Sequence, residues 1–327
     1  MNQPVQRRVA RALRVGGPEV IDVGVEELPP LRPGDALVRV EAVGLNHAET
    51  LIRSGKYTVR LPFPYPLGGE GSGVVIATGA GAPISVGTRV CWAAVIGSCA
   101  TFVTAPASML VPIPEGLSFE DGACLAVAAL TAGGLVRVWP LKGREAVVWG
   151  AAGAVGRMLV AILASQQVKV IGIASGSRVE AVRAAGAIHV IDRAVEDVRE
   201  AVHGYTGGRG VAAVFDPVGA STYETSLQLL APRGCLINYG ELSGPAPAIN
   251  LHQLFSGSFF VTKYNGTHWV EGVSEFPALI SDGLTLATKR PAIISDLAGR
   301  FALNEVVDAY RKLESDPHGK VLVLPGL

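Results

Sequence analysis

A short stretch in the middle of the chain constrains the fold most strongly: residues 146–156 read Ala-Val-Val-Trp-Gly-Ala-Ala-Gly-Ala-Val-Gly. An apolar run typical of a buried strand enters a glycine turn, and an apolar helix follows from Arg157 to Ala164. Dinucleotide binding requires this order, because the turn lets backbone N–H groups approach a pyrophosphate and the helix points its positive end at the phosphates. Gly153 and Gly156 occupy the second and third glycine positions of the pattern G-x-G-x-x-G, and Ala151 occupies the first. Since that first glycine is replaced, plain packing of a strand on a helix is the alternative explanation.

The end of the next strand indicates which dinucleotide this turn would bind. The β-rich run Val168 to Ala174 is followed by Ser175-Gly176-Ser177-Arg178. Enzymes that prefer the unphosphorylated cofactor carry an acid there for the ribose, and this segment contains none. Arg178 can meet a 2′-phosphate with charge-assisted hydrogen bonds worth roughly 1.5–3 kcal/mol, which predicts NADPH. The alternative for Arg178 is a solvated side chain in the first turn of the following helix.

Composition narrows the class of partner. The 327 residues suffice for two domains, and 28 basic against 28 acidic side chains give no net field that would attract nucleic acid or an anionic membrane. The longest apolar runs fall far short of the 18 or so residues that span a bilayer. The cysteines, which show no C-x-x-C spacing, are Cys91, Cys99, Cys124 and Cys235. We therefore predict a cytoplasmic enzyme with free buried thiols, a small-molecule partner, no membrane anchor and no nucleic acid.

Turn spacing and periodicity divide the chain into two parts. The first 120 or so residues are dense in short strands punctuated by Gly and Pro, which is typical of a barrel-like module. From Gly143 onward strands and helices alternate. The runs predicted as strands there are 146–150, 168–173, 189–191, 211–215, 234–239 and 258–261. Six strands in βαβ order predict a doubly wound parallel sheet. After Tyr264 we predict one more helix, Glu305 to Leu313, and a final strand, Lys320 to Leu324, in a tail that returns to the first domain.

Several motifs in this order carry a family resemblance. They are Val43 to Tyr57, Leu67 to Val74, Val86 to Val90, Leu130 to Ala132, the glycine turn, Phe215 to Gly219, Tyr239-Gly240 and Gly319-Lys320. Together they resemble the quinone oxidoreductase, or zeta-crystallin-like, branch of the medium-chain dehydrogenase/reductase superfamily, over essentially the whole chain. The resemblance implies an α/β protein with a GroES-like catalytic domain, residues 1–120 completed by 265–327, and a Rossmann domain that binds NADPH, residues 121–264. It also implies a homodimer joined through edge strands of the Rossmann sheets.

The same superfamily contains zinc alcohol dehydrogenases, whose catalytic zinc needs three protein ligands. Where that branch has its first Cys this chain has Asn46, and where it has a His before a glutamate this chain has Gly69. Cys124 falls near the third ligand position, and neither a lone thiol nor the neighbouring Glu70 completes a site. We predict no metal, with Cys124 as a small core residue.

Without a metal, hydrogen bonds must polarise the substrate carbonyl. The resemblance places the Asn that matches Asn46 at the nicotinamide and substrate side of the family's cleft, and its alternative role is to stabilise the turn after Gly44. Tyr57 is the second catalytic prediction, as a donor to a quinone oxygen or else a half-buried aromatic. The family often has a Tyr where this chain has Leu51, which weakens a tyrosine-donor mechanism. His47 could serve as an acid because an imidazole titrates near neutral pH, but the family does not rely on a histidine there, and it is expected to be structural or exposed.

Further cofactor contacts follow from the resemblance. Where the branch carries a Lys and a Tyr around the 2′-phosphate, this chain has Val179 and Arg193, so Arg178 and Arg193 are predicted to replace that pair. The predicted cofactor-binding residues are Asn46, Thr131, Ala151, Gly153, Ala154, Val155, Gly156, Ser175, Ser177, Arg178, Arg193, Tyr239, Gly240, Ser243 and Lys320. For Tyr239 ordinary packing is the alternative, and for Lys320 an exposed position before an edge strand.

Three functions fit these observations. The first is an NADPH-dependent reductase of quinones or small α,β-unsaturated carbonyl compounds, because hydride adds readily to an electron-poor acceptor without a metal. The second is an enoyl reductase of a larger thioester or biosynthetic intermediate, suggested by Leu51 and by the small residues Gly97, Ser98 and Ala100. The third is an NADPH-binding protein with a structural or partner-binding role and little turnover.

Overall fold

The computed structural model describes residues 5–57, 60–270, 272–315 and 318–327. The strands are β1 (Gln6–Ala12), β2 (Ile21–Glu27), β3 (Asp35–Gly44), β4 (Tyr65–Pro66), β5 (Glu70–Thr78), β6 (Arg89–Ala93), β7 (Phe102–Pro106), β8 (Val111–Pro112), β9 (Glu145–Val148), β10 (Lys169–Ala174), β11 (His189–Asp192), β12 (Val211–Asp216), β13 (Leu230–Asn238), β14 (Phe260–Lys263), β15 (Leu297–Ala302) and β16 (Lys320–Leu324). The helices are α1 (His47–Arg53), α2 (Phe119–Leu135), α3 (Ala154–Ser165), α4 (Val179–Ala185), α5 (Val198–Thr206), α6 (Tyr223–Gln228), α7 (Leu251–Phe255), α8 (Phe276–Lys289) and α9 (Val306–Glu314).

The chain divides into two compact units. The first consists of Met1–Leu130, Val273–Thr288 and Ile294–Leu327, and the second of Thr131–Gly272 and Lys289–Ile293. In the first unit one sheet has the order β15-β16-β3-β5-β6-β8, with β7 paired to β3, and another has the order β2-β1-β4. Strand β3 pairs antiparallel with β16 on one side and β5 on the other, placing Gly44 opposite Leu322 and Val43 opposite Gly71. This register brings the ends of three strands together.

The second unit is built on a parallel sheet of order β11-β10-β9-β12-β13-β14. Its central strands are apolar along their length, and all residues of β12 are buried, as expected for strands covered on both faces. The core on one face includes Val147, Ile171 and Leu236. The predicted doubly wound parallel sheet is confirmed, and the order reverses at β9, directly before the glycine turn.

Several elements differ from the prediction. After Tyr264 the structure contains helix α8 and strand β15 in addition to the predicted helix and strand. Helix α8 begins Phe276-Pro277, where a proline is tolerated because the first turn has no intrahelical N–H partners to lose. Helix α1 lies inside the part that was predicted to be dense in short strands and turns. Strand β13 starts four residues before the predicted Gly234, with a register shift against β12 and Arg233 at a φ of 62°.

Two expectations from composition concern cysteines and membrane spans. All of the cysteines are buried and free, as predicted. Among the helices that the structure describes, none combines the length and the apolar character needed to cross a bilayer.

Candidate functional site

Asn46 lies between the end of β3 and the first residue of α1. Although it is the N-cap of this helix, its side chain forms no capping hydrogen bond. Its Nδ2 instead donates to Glu70 Oε2 at 3.0 Å and to the Gly44 carbonyl at 3.2 Å, and its Oδ1 accepts from Lys320 Nζ at 2.8 Å. These partners fix the amide orientation, since a carboxylate can only accept and an ammonium can only donate. The alternative role as a simple turn residue does not account for these bonds.

Glu70 and Lys320 form a buried ion pair beside Asn46. The Nζ–Oε2 distance is 2.6 Å, Glu70 is fully buried and Lys320 is 8% exposed. The second carboxylate oxygen, Oε1, accepts from the backbone N–H of Val127 at 2.6 Å. A buried charge is tolerated when it is paired and hydrogen-bonded in this way. We call Asn46, Glu70 and Lys320 the polar cluster.

Gly44 makes room for the polar cluster. A Cβ atom at this position would lie 2.1 Å from the Ala123 carbonyl oxygen, 2.7 Å from Lys320 Cε and 2.8 Å from Glu70 Oε2. The first of these atoms is backbone and cannot move aside. The resembled motif Val43-Gly44 therefore has a steric explanation within the first unit.

The polar cluster can present a hydrogen-bond donor to a ligand. An ammonium has three N–H donors, and within the described chain Lys320 uses two of them, on Asn46 and Glu70. Asn46 is partly exposed while its partners are buried. Such a preorganised donor set stabilises negative charge that develops on a substrate oxygen.

The structure separates the two catalytic predictions. Tyr57 is half-buried beyond the end of α1, and its backbone N–H donates to the Leu51 carbonyl. The hydrogen bonds of the polar cluster in the described chain do not include it. The exposed alternative for Lys320 is wrong, because the residue is buried and its strand β16 is paired on both sides, by β15 and β3.

Glu70 holds the polar cluster together, and the sequence pointed to it only as an incomplete zinc ligand. The available signal was an acid at the first position of an otherwise small and apolar strand, in the run Gly68-Gly69-Glu70-Gly71. A buried carboxylate in such a run requires a cation, and the lysine comes from the far end of the chain.

In the second unit the glycine turn joins β9 to α3. Ala151 is fully buried and its N–H donates to the Ile173 carbonyl at 3.1 Å. Gly153 is the N-cap of α3 and has no side chain to satisfy the first turn. The N–H groups of Ala154, Val155 and Gly156 belong to that first turn, where helix geometry supplies no acceptor. They form a natural anion site at the positive end of a twelve-residue helix.

Arg157 adds positive charge to this turn, and sequence reasoning treated it only as a helical residue. Its side chain is 3% exposed and its Nε donates to the Ala152 carbonyl at 2.9 Å. A buried guanidinium beside the first turn of α3 strengthens the local attraction for phosphate.

The carboxyl ends of β10 and β11 bring Ser175 and Arg193 together, with Arg193 Nε donating to Ser175 Oγ at 3.0 Å. The end of β10 itself carries no acid, as predicted, but both carboxylate oxygens of Asp192, at the end of β11, lie 3.1 Å from the Gly176 backbone nitrogen. Asp192 is opposite Ala174 in the strand register, so the acid comes from the neighbouring strand. The Gly176 N–H group therefore already has an acceptor within the described chain.

Ser177 is exposed and Arg178 is half-buried in a short 3-10 turn after β10.

We expect Arg193→Ala and Arg178→Ala each to lower the ratio of kcat/KM for NADPH to that for NADH about tenfold or more, by removing charge-assisted bonds to the 2′-phosphate. Steady-state kinetics with both cofactors measures this ratio. Arg183→Ala is the matched control, because Arg183 is exposed and pairs with Glu180. Unchanged ratios in both test variants would show that neither arginine contacts the 2′-phosphate.

The loops after β12 and β13 are tied to each other. Ser243 Oγ donates to the Val218 carbonyl at 2.9 Å and accepts from the Ser221 N–H at 2.9 Å. At Gly240 a Cβ would lie 2.4 Å from the Pro217 carbonyl oxygen, so the two loops approach closely. Tyr239 donates its backbone N–H to the Asp216 carbonyl, and burial raises the pKa of its phenol, which keeps the hydroxyl protonated.

Lys263, at the end of the outer strand β14, was not singled out from the sequence. Its Nζ donates to Asn238 Oδ1 and to Glu241 Oε1, both at 2.7 Å, and thereby holds the loop after β13. Thr131, the first residue of this unit, accepts a hydrogen bond at its carbonyl from the Tyr264 hydroxyl at 3.4 Å.

No set of three or more His, Cys, Asp or Glu side chains in the described residues has a metal-binding arrangement. Cys124 is 1% exposed in a small apolar cluster.

Comparison with known proteins gives matches over most of the chain. The profile of the alcohol dehydrogenase GroES-like domain matches residues 32–135, and that of the zinc-binding dehydrogenase family matches residues 154–282. A quinone oxidoreductase of Pseudomonas aeruginosa is 34% identical over 319 residues, 95% of this chain and 97% of the relative. A 2-haloacrylate reductase of a Burkholderia species is 31% identical over 311 residues, 90% of this chain and 91% of the relative.

Solved structures agree with these relatives. A mycobacterial protein complexed with NADPH superposes with a TM-score of 0.86 at 34% identity, covering 97% of this chain and 100% of the other. The Escherichia coli quinone oxidoreductase complexed with NADPH gives a TM-score of 0.84 at 29% identity, with the same coverage. With the glycine turn, the parallel sheet and the matched motifs, these similarities establish that the chain belongs to the quinone oxidoreductase branch of the medium-chain dehydrogenase/reductase superfamily.

Proposed function

We propose that this chain is an NADPH-dependent reductase that transfers hydride to a quinone or a small α,β-unsaturated carbonyl compound. The observation that carries the proposal is the open glycine turn at the start of α3 in a chain 34% identical to a protein that binds NADPH. A relative that is a 2-haloacrylate reductase supports a conjugated double bond as one class of acceptor.

The residues of the second unit fit NADPH. A Cβ at Gly153 would meet only the Gly150 carbonyl oxygen, at 3.4 Å, so the protein itself leaves this space open for the close approach of a phosphate. The first-turn N–H groups of α3 would hold the pyrophosphate, and Ser175, Arg178 and Arg193 would hold the 2′-phosphate. When bound, NADPH supplies the hydride.

The chain's own contribution to the reaction is positioning and polarisation. We assign the remaining N–H donor of Lys320 to the orientation of the substrate carbonyl and Asn46 to the positioning of Lys320, because Asn46 and Glu70 together hold the ammonium in a fixed arrangement. Donors fixed in advance cost no reorganisation when negative charge develops on that oxygen. A hydrogen-bonded cluster of this kind performs polarisation without a metal ion, and zinc is not part of the proposal.

NADPH oxidation followed at its absorbance band, with a panel of quinones and a panel of small enones, tests this function. We expect turnover with at least one of the two panels and tight NADPH binding measured by fluorescence. Turnover confined to enoyl thioesters would move the chain to the enoyl reductase class. Tight binding without turnover on any panel would favour the partner-binding role and overturn the proposal.

We further propose that the protein is a homodimer joined at β14. This strand is the last in the sheet order of the second unit, and an exposed edge strand is a template for pairing. Exposed apolar side chains lie on and before it, with Leu251 78% and Phe255 86% exposed on α7 and Phe260 51% exposed on β14. Helix α7 buries none of its residues. A second copy of the same edge would continue the sheet and cover these side chains.

Sedimentation equilibrium tests the assembly. We expect a dimer for the wild type and a monomer for the double variant Leu251→Asp, Phe255→Asp, because a buried unpaired carboxylate is costly. Val195→Asp is the matched control, since Val195 is 81% exposed and precedes α5. A monomeric wild type at micromolar concentration would contradict the assembly without affecting the proposed reaction.

The two units of the chain have different roles in this proposal. The first unit carries the catalytic polar cluster and the second binds NADPH. We also propose a cytoplasmic location, which agrees with four free and buried thiols.

A further inference from the structure

A second buried carboxyl group lies close to the polar cluster. Glu49 follows Asn46 by one turn of α1, and its Oε2 accepts a hydrogen bond from the Tyr310 hydroxyl of α9 at 2.5 Å. Glu49 as a whole is half-buried, and its Oε1 is buried and forms no hydrogen bond within the described chain. The Glu49 carboxyl is therefore removed from water with one oxygen unsatisfied.

The charges around Glu49 do not balance if it is ionised. Lys320 is already paired with Glu70 at 2.6 Å, and the guanidinium of Arg53, one turn further along α1, is paired with Glu314 of α9. Several titratable groups lie close enough to Glu49 to influence its pKa or to have their own pKa influenced by it. They are Glu70, Lys320, Tyr310, Tyr65 and Cys99. The two tyrosines and the cysteine are neutral in their ordinary forms. An ionised Glu49 would compete with Glu70 for Lys320.

We propose that Glu49 is a positioning residue of the reaction, which in its protonated form leaves the Lys320 ammonium to Asn46 and Glu70 and on ionisation draws Lys320 out of that arrangement. This inference rests on the proposed function of Lys320 and Asn46. Glu49 acts through those two side chains and does not itself contact the substrate.

The direction of the Glu49 pKa agrees with this role. Burial raises the pKa of the Glu49 carboxyl, and the nearby Glu70 carboxylate raises it further. The Tyr310 hydroxyl, the Lys320 ammonium and the Asn46 amide act in the opposite direction. Because the net shift is upward, the neutral form persists above the ordinary carboxyl range, and ionisation occurs as the pH rises through the shifted value.

The pH profile of kcat/KM for wild type and Glu49→Gln tests the proposal. Glutamine keeps the shape of the protonated acid and cannot ionise. We expect the wild-type value to fall about tenfold per pH unit above the Glu49 pKa, the slope of a single titration, and the Glu49→Gln profile to lack that fall. Glu115→Gln, at an exposed position of the same unit, is the control and is expected to keep the wild-type profile.

A second variant is expected to shift the pH at which kcat/KM falls, and the direction of that shift follows from the structure. Tyr310→Phe removes the hydroxyl that stabilises ionised Glu49, so the fall in kcat/KM is expected at higher pH than in the wild type. Thermal unfolding supplies a readout without turnover. Since folding raises the Glu49 pKa, the folded state binds this proton more tightly, and wild-type stability falls as the pH rises from the unfolded to the folded pKa. Glu49→Gln is expected to lose that part of the pH dependence.

The outcomes separate this inference from the proposed function. Suppose the wild type turns over a quinone or an enone, and kcat/KM of Glu49→Gln still falls at high pH as in the wild type. This result would overturn the role of Glu49 but not the proposed reductase function. Absence of turnover in the wild type at every pH would overturn the reductase itself. If Glu49→Gln does not fold, Tyr310→Phe decides the question. A fall in kcat/KM at the same pH as in the wild type, or at a lower pH, would equally overturn the inference.

Discussion

Glu70→Gln is expected to lower the unfolding midpoint by on the order of 10 °C and to abolish measurable turnover. The variant leaves the Lys320 ammonium, 8% exposed, without its counter-charge. Breaking a buried pair by removing one charge costs about 3–5 kcal/mol, and each kcal/mol lowers the midpoint by about 2–4 °C in a domain of this size. Lys320→Met leaves the Glu70 carboxylate unpaired and is expected to lose a similar amount. Differential scanning calorimetry and NADPH oxidation measure the two effects.

The double variant Glu70→Gln, Lys320→Met separates stability from function. Its buried side chains are both neutral, and the glutamine oxygen can still accept from Val127 N–H, so we expect it to be more stable than either single variant. Turnover should stay lost, because the ammonium donor is gone. A double variant as unstable as the sum of the single ones would show that the pair is not coupled. Glu41→Gln breaks an exposed pair with Arg39 and should change stability by less than about 1 kcal/mol.

The sheet of the second unit is predictable from the sequence because buried parallel strands leave a local signal. Each is a short apolar run, and β12 and β10 read as Val-Ala-Ala-Val-Phe-Asp and Lys-Val-Ile-Gly-Ile-Ala. The turn at Gly153 and Gly156 is likewise local. Helix α1 is less visible, because its seven residues carry three charged or titratable side chains, His47, Glu49 and Arg53, in a region otherwise made of strands.

The polar cluster is not predictable as a unit from any local pattern. Glu70 lies 24 residues from Asn46 and 250 residues from Lys320 in the chain. The three meet because β3 pairs with both β5 and β16 in one register, and a slip of one residue would turn each side chain to the other face. The resemblance identified Asn46 and Lys320 one at a time, but it did not show that Glu70 joins them.

Asp192 illustrates the same limit in the second unit. The segment after β10 contains no acid, so the local sequence gives no sign of a carboxylate at Gly176. The parallel register that places Asp192 opposite Ala174 puts a carboxylate on that donor. The surroundings of the proposed 2′-phosphate site are thus set by two neighbouring strands, and the arginines would act in the presence of this acid.

The two glycines of the turn are expected to respond oppositely to alanine. At Gly156 a Cβ would lie 2.2 Å from the Gly150 carbonyl oxygen and 2.8 Å from Ala151 Cα, which are backbone atoms of the preceding turn. Gly156→Ala must therefore push α3 away from β9, at a cost of about 1–3 kcal/mol or more, and we expect NADPH affinity to fall at least 10- to 100-fold along with the unfolding midpoint.

At Gly153 the backbone has a φ of −74° and a ψ of 169°, which alanine adopts without strain, and the nearest atom to a Cβ is 3.4 Å away. Gly153→Ala should therefore fold with unchanged or slightly higher stability, by about 0.4–1 kcal/mol, since alanine has less freedom to lose on folding. NADPH affinity should nevertheless fall about tenfold or more, because the methyl group takes the space that the pyrophosphate needs. Fluorescence titration and thermal unfolding of both variants measure the contrast. Wild-type NADPH affinity in Gly153→Ala would mean that the phosphates do not approach the turn at this residue, even if Gly156→Ala behaves as expected.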